Sequence, residues 1–230
     1  MKLIYSGLTL VLLLLASNIN AQSKSERFGL IFGANFSNIS QNFSGRFQDS
    51  ELDTKSNLTY HVGFKVDNSI NKNFSIQPNF LFNRKGYSID SYEENGSSFL
   101  GFDVLYNYIE VSLDFLAILD NGLFLSGAPY FSYGINGKLK YDQPDNVTIP
   151  DIKLTGKIGE IQSIPQDEGI YNAPDAGLVL GTGFQKDKLQ FKLSYSIGLN
   201  NITPKTPDEN RDDLKAFNRV LGTSLTFFFN

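Results

Sequence analysis

The sequence predicts an all-β fold, a transmembrane antiparallel up-and-down β-barrel of about eight strands. Three observations predict it. Apolar and small or polar residues alternate with a period of two in eight separate stretches. The connections between those stretches run short, long, short, long. The opening of the chain also reads as an export signal. Successive strand side chains point to opposite faces, so each stretch has one greasy and one small or polar side. Outer-membrane barrels combine such strands with short periplasmic turns and long extracellular loops.

The opening segment has Lys2, an apolar run over 8–16, and small or polar residues up to Ala21. A basic start, a short apolar stretch and a small residue at the cut describe a secretory signal peptide. Cleavage is expected after Ala21, although Ile19 is larger than the usual residue three positions from the cut. The apolar run falls short of the roughly 20 residues that a spanning helix needs. The domain reading is therefore 1–21 signal peptide and 22–230 barrel.

The first strand is expected over 28–37, with Phe28, Leu30, Phe32, Ala34 and Phe36 on one face. The second, over 59–67, sets Tyr60, Val62, Phe64 and Val66 against His61, Gly63, Lys65 and Asp67. The third, over 74–85, sets Phe74, Ile76, Phe80 and Phe82 against Ser75, Gln77, Asn79 and Asn83. The fourth, over 102–117, opposes Ile109, Val111, Leu113 and Phe115 to Tyr106, Tyr108, Glu110, Ser112 and Asp114. The fifth covers 123–135, the sixth 176–184 and the seventh 189–199. The eighth carries Leu221, Leu225, Phe227 and Phe229 opposite Gly222, Ser224 and Thr226. Long loops are expected over 38–58, 86–101, 136–175 and 200–215. The stretch 147–161 also alternates, and ten strands is the alternative count. Lys153, Lys157 and Glu160 interrupt it, so a hairpin above the membrane is expected there.

A soluble barrel with its apolar faces inward is the competing architecture. Its water-facing side would be rich in Lys and Glu. Here the non-apolar face is mostly Gly, Ser, Asn, Gln and Thr, as a narrow filled interior requires. The chain has no Cys and one His, and its formal charge is −4. It offers neither disulfides nor a basic tract for nucleic acid.

Several short segments resemble PorT-like outer-membrane β-barrel proteins of Bacteroidetes-type bacteria. They are Tyr108-Ile109-Glu110-Val111-Ser112-Leu113, Gly127-Ala128-Pro129-Tyr130, Ala176-Gly177-Leu178-Val179-Leu180-Gly181-Thr182-Gly183, Tyr195-Ser196-Ile197-Gly198-Leu199-Asn200-Asn201-Ile202 and Asn218-Arg219-Val220-Leu221. Their order and spacing cover most of the mature chain. The resemblance implies an outer-membrane address and the barrel fold, and the member that names the family is linked to protein secretion. The last strand also resembles the assembly signal of outer-membrane barrels at Gly222, Leu225, Phe227 and Phe229. It departs from that pattern at Val220, which holds the polar position, and at the terminal Asn230.

The candidate site residues are the charged and titratable groups on inward faces: His61, Lys65, Asp67, Glu110, Asp114 and Lys192. Unpaired charge in a low-dielectric interior is costly, so these should pair across the lumen as a structural plug. A narrow ion or solute conduit and a rim-located lipid enzyme, with His61 near Ser56 and Asp53, are the alternatives. Gly177, Gly181 and Gly183 lack the helix and Lys of a phosphate loop and are expected to make room for large inward side chains such as Tyr106, Tyr108 or Tyr130. Acidic pairs at Glu93-Glu94, Asp167-Glu168, Asp208-Glu209 and Asp212-Asp213 read as solvated loop charge. No catalytic, cofactor or metal site is expected. The expected partners are outer-membrane lipids and lipopolysaccharide, the outer-membrane assembly machinery and an envelope protein, with no nucleic acid. The expected role is a non-enzymatic surface interaction or scaffold function.

Overall fold

A computed structural model describes residues 26–43, 54–90, 92–94, 97–99, 101–142, 150–157, 168–203 and 214–229. The strands are β1 (Glu26–Phe43), β2 (Thr54–Asn71), β3 (Phe74–Ile89), β4 (Tyr92–Glu94), β5 (Ser97–Phe99), β6 (Phe102–Ile118), β7 (Leu123–Tyr141), β8 (Ile152–Lys157), β9 (Glu168–Asn172), β10 (Pro174–Lys186), β11 (Leu189–Gly198) and β12 (Leu214–Phe228). Eight of these close an antiparallel barrel in the order β1-β2-β3-β6-β7-β10-β11-β12, with β12 returning to β1. Closure leaves no backbone edge, which is what a sheet in hydrocarbon requires.

The alternation maps onto the two faces as the sequence predicts. Phe32 is 56% exposed and Leu225 51%, whereas Asn35, Gln77 and Ser132 are buried. Between Phe28 and Phe36 the apolar stripe runs about 27 Å along β1, at roughly 3.4 Å per residue. Tilted by roughly 35–45°, that stripe rises about 20 Å and covers most of a lipid band of about 25 Å. The short turns lie at one end. Asn71 caps the β2–β3 turn, its Oδ1 accepting the backbone N–H groups of Asn73 (2.8 Å) and Phe74 (2.9 Å). Gly122 supplies a φ of +87° to the β6–β7 turn, and Asp187 one of +50° to the β10–β11 turn. Left-handed backbone of this kind suits Gly, Asn and Asp.

At the other end the strands run further than the alternation suggests. β1 and β2 extend into the stretch expected as loop 38–58, and β7 continues through Tyr141 into the expected loop 136–175. Membrane spanning needs only about 9–11 residues per strand, so the wall stands beyond the bilayer there.

The expected hairpin at 147–161 is not what forms. Residues 147–149 and 158–161 lie outside the described residues. Ile152–Lys157 is a single strand, β8, inserted between β7, which it pairs antiparallel, and β9, which it pairs parallel. β9 then continues through Ala173 into β10, which pairs directly with β7. β8 is therefore a wedge that widens the barrel above the membrane. Its apex is tight. Ala173 N donates to Lys157 O (2.7 Å) and Gly134 N to Ala173 O (2.8 Å). A side chain at Gly156 would strike the Gly134 carbonyl and the Ala173 methyl. Further round the rim, backbone bonds from Asn172 N to Ile202 O and from Ile202 N to Ala216 O (both 2.9 Å) carry the wall from β9 to β12.

Candidate functional site

The barrel bore is filled by three tiers of polar side chains beneath an apolar cap. In the lowest tier Asp67 accepts from Arg27 through Nη2 (2.5 Å) and Nε (3.1 Å), from Gln77 Nε2 (3.0 Å) and from the Ser75 hydroxyl. Arg27 lies over the Phe228 ring at 4.4 Å. Lys65 Nζ donates to Gln77 Oε1 (3.0 Å) and Gln190 Oε1 (2.7 Å). In the middle tier Lys192 pairs with Asp114 at 2.6 Å, and Asn79 Nδ2 donates to the other Asp114 oxygen at 3.1 Å.

The upper tier centres on Lys85, which bridges Glu110 and Asp175 at 2.9 Å each. Its ammonium sits between the rings of Tyr130 (4.4 Å) and Tyr108 (5.1 Å). Asp175 also accepts from the Tyr130 hydroxyl (3.1 Å) and Asn218 Nδ2 (2.8 Å). His61 on β2 links this tier sideways along the wall to β1 and β12. Asn35 Nδ2 donates to Asn83 Oδ1 (3.0 Å), so Asn35 presents its oxygen to His61 Nδ1 (2.8 Å). Nδ1 must then carry hydrogen, and the Nε2 of a neutral ring accepts from the Ser224 hydroxyl (2.9 Å). Asn83 Nδ2 in turn donates to Glu110 (3.1 Å).

All six sequence-predicted charge positions lie in the lumen and are buried. Asp114 and Lys192 meet each other directly. Glu110 and Asp67 pair instead with residues that the alternation argument left out, Lys85 and Arg27, and Asp175 is the third such residue. A parity signal was available for each: Lys85 is two residues beyond Asn83, Arg27 two before Gly29, and Asp175 two before Gly177. The cations Arg27, Lys65, Lys85 and Lys192 balance the anions Asp67, Glu110, Asp114 and Asp175. Balance matters because an uncompensated buried charge costs several kcal/mol.

A polar cavity of about 50 Å³ remains among His61, Lys65, Asn79, Glu110, Asp114 and Lys192. It has room for roughly three to five water molecules. Asn79 Oδ1, buried with no hydrogen-bond partner, belongs to a side chain on its wall.

Over these tiers lies an apolar cap of Ile39, Val104, Tyr106, Tyr108, Leu154, Tyr171 and Ile202. Its members come from β1, β6, β8, β9 and the β11–β12 connection, so the cluster reaches across the bore. Tyr171 packs on Tyr106 at 4.5 Å between ring centroids and donates to the Asn136 carbonyl at 3.1 Å.

Of the three inward glycines, Gly177 makes room for one of the expected tyrosines, Gly183 for Phe124 instead, and Gly181 for the Lys192 stem and the Ser126 hydroxyl. A Cβ at Gly177 would lie 2.8 Å from the Tyr130 ring, and one at Gly183 would lie 2.6 Å from the Phe124 ring. Gly134 does the same for Tyr171, which the sequence argument did not anticipate. At the assembly-signal positions, Gly222 faces the lumen, while Leu225, Phe227 and Phe229 face outward. His61 is committed at both nitrogens within the lumen. Ser56 lies on the exposed upper wall opposite Tyr87, and Asp53 lies outside the described residues. Side chains of the four acidic pairs also lie outside the described residues, although the β4–β5 pairing sets Glu93 opposite Ser98 and Glu94 opposite Ser97.

A closed eight-strand antiparallel barrel with an apolar exterior and a filled polar interior defines an integral outer-membrane protein. The chain belongs to the family described as "Outer membrane protein beta-barrel domain", whose profile matches residues 20–203. Among solved structures it is similar to Ail, the attachment invasion locus protein of Yersinia pestis (14% identity over 88% of this chain and 99% of that one, TM-score 0.42). It is also similar to Neisserial surface protein A (12% identity, 88% and 97% covered, TM-score 0.47) and to OprG from Pseudomonas aeruginosa (10% identity, 90% and 97% covered, TM-score 0.43). No curated protein sequence matches it.

Proposed function

We propose that this protein is a non-enzymatic docking or scaffold component of the outer membrane, working through its extracellular rim within an envelope or secretion assembly of the kind the PorT-like resemblance implies. The observation that carries this reading is the apolar cap. It lies across the bore above a charge-balanced network, which argues against a solute passage and leaves the projecting wall as the face available to partners. A rigid scaffold presenting an elaborated rim is where binding residues usually sit. The burial of His61 between Asn35 and Ser224 likewise weighs against a lipid-modifying centre at the rim. Assembly is proposed to use the outer-membrane machinery, reading Gly222, Leu225, Phe227 and Phe229.

Photo-crosslinking in intact cells tests this. A crosslinker at the exposed positions Lys140 or Lys153 should yield one discrete envelope-protein adduct, absent when the crosslinker replaces Phe32 in the lipid belt. The folded protein should show no conductance steps in planar bilayers, and His61→Ala should leave cellular lipid composition unchanged. A rim without adducts, or an ohmic conductance, would overturn the reading.

A further inference from the structure

On the eight spanning strands, no Lys, Arg, Asp or Glu faces outward between the short-turn end and the upper edge of the apolar belt. The first outward charges met on β3 and β12 are Arg84 and Arg219. Each stands ten residues above the lowest outward aromatic, Phe74 at the start of β3 and Phe229 just past the end of β12. Ten tilted residues rise about 25 Å, the height of the apolar band of such barrels. Both guanidinium groups therefore sit at the level of the outer-leaflet headgroups.

Both are held in place. Arg84 Nε donates to Asn107 Oδ1 (2.8 Å), and its guanidinium carbon lies 5.2 Å from the Tyr60 ring centroid. Arg219 Nη1 donates to Gly198 O (2.8 Å) and Asn218 O (2.9 Å), with the Phe217 ring at 6.0 Å. Neither has a carboxylate partner among the described residues. The terminal NH₂ groups of Arg84, and Nε and Nη2 of Arg219, have no acceptor among those residues either. A fixed fork with open N–H groups and no counter-ion matches a phosphate, which it can grip in bidentate fashion.

We infer that Arg84 and Arg219 are two headgroup clamps for phosphorylated lipid of the outer leaflet. The lipid source, rather than soluble phosphate, follows from what lies directly below each fork. Tyr60 and Phe82 flank the descent from Arg84, and the cross-strand pair Tyr195 and Leu221 lies one step below Arg219, so acyl chains continue from the phosphate onto an apolar wall. Three interstrand steps separate the clamps, roughly 14 Å at about 4.8 Å per step, so they are distinct contacts. This inference rests on the membrane placement and not on the docking role, and either can fail without the other.

The test uses the full folded chain in detergent, with diphosphorylated lipid A as probe and native mass spectrometry as readout. Wild type should retain lipid A and release dephosphorylated lipid A. R84Q and R219Q should each weaken retention several-fold, and the double variant at least tenfold. R84K, which keeps the charge but loses the fork, should fall between. Lys72→Gln at the short-turn end serves as a control with unchanged retention, and heat-modifiable migration shows that each variant is folded. Equal retention by the double variant, or equal binding of dephosphorylated lipid A, would overturn the inference. Displacement of lipid A by millimolar inorganic phosphate would overturn the assignment to a lipid.

Discussion

Gly33 on β1 and His61 on β2 are direct cross-strand partners, and a methyl group at position 33 would overlap the imidazole at Cε1 and Nε2. The absence of a side chain at one position thus sets the ring orientation at the other. Gly33→Ala should push His61 off Ser224 and Asn35 and also crowd the Thr223 carbonyl. Overpacking of this kind costs about 1–3 kcal/mol. Urea unfolding of the barrel in lipid vesicles measures it. Adding His61→Ala should recover only the part due to the ring, since the Thr223 carbonyl belongs to the backbone.

Lys85 is the single cation between two buried carboxylates. Lys85→Met should leave Glu110 and Asp175 without a counter-ion and destabilise the barrel by about 3–5 kcal/mol. Neutralising the acids as well, in K85M/E110Q/D175N, should restore most of that loss. A triple variant no more stable than K85M would show that the tier is held by shape rather than by charge pairing.

The cap should come apart independently of the membrane-embedded wall. Tyr171→Ala removes the ring stacked on Tyr106, and deleting a buried aromatic costs roughly 3–5 kcal/mol at the site. Limited proteolysis should then cut between 142 and 173 at least tenfold faster. Heat-modifiable migration, which reports the spanning strands, should be unchanged.

The lipid-facing and lumen-facing sides of the wall should respond unequally to substitution. Phe32→Arg places a cation against lipid and should cost about 2–4 kcal/mol. Ser196→Ala, on the lumen side of β11 beside the polar cavity, adds no charge and should shift stability by no more than about 1 kcal/mol, the net worth of one hydrogen bond. The same folding titration reads both.

At the start of the chain, the mature protein from outer membranes should begin at Gln22. Intact-mass measurement checks the cleavage, and a retained 1–21 would refute it.

The in-or-out direction of each spanning strand was legible in the sequence, along with the membrane address. Both follow from a local property: with a period of two, the medium on each side selects the residues facing it, as Phe28 to Phe36 against lipid and Asn35 and Ser37 against the lumen illustrate. The charge positions His61, Lys65, Asp67, Glu110, Asp114 and Lys192 came from the same parity. Their partners did not. Lys85 meets Asp175 across 90 residues of sequence, a contact set by barrel shear and closure, which no local pattern encodes. β8 escaped for a related reason. Its six residues acquire their place only by pairing with β7 and β9 at once, at an apex that Gly134, Gly156 and Ala173 keep narrow. Local alternation thus determined which side each residue faces, while closure of the sheet decided which residues touch, because register and curvature are properties of the whole ring.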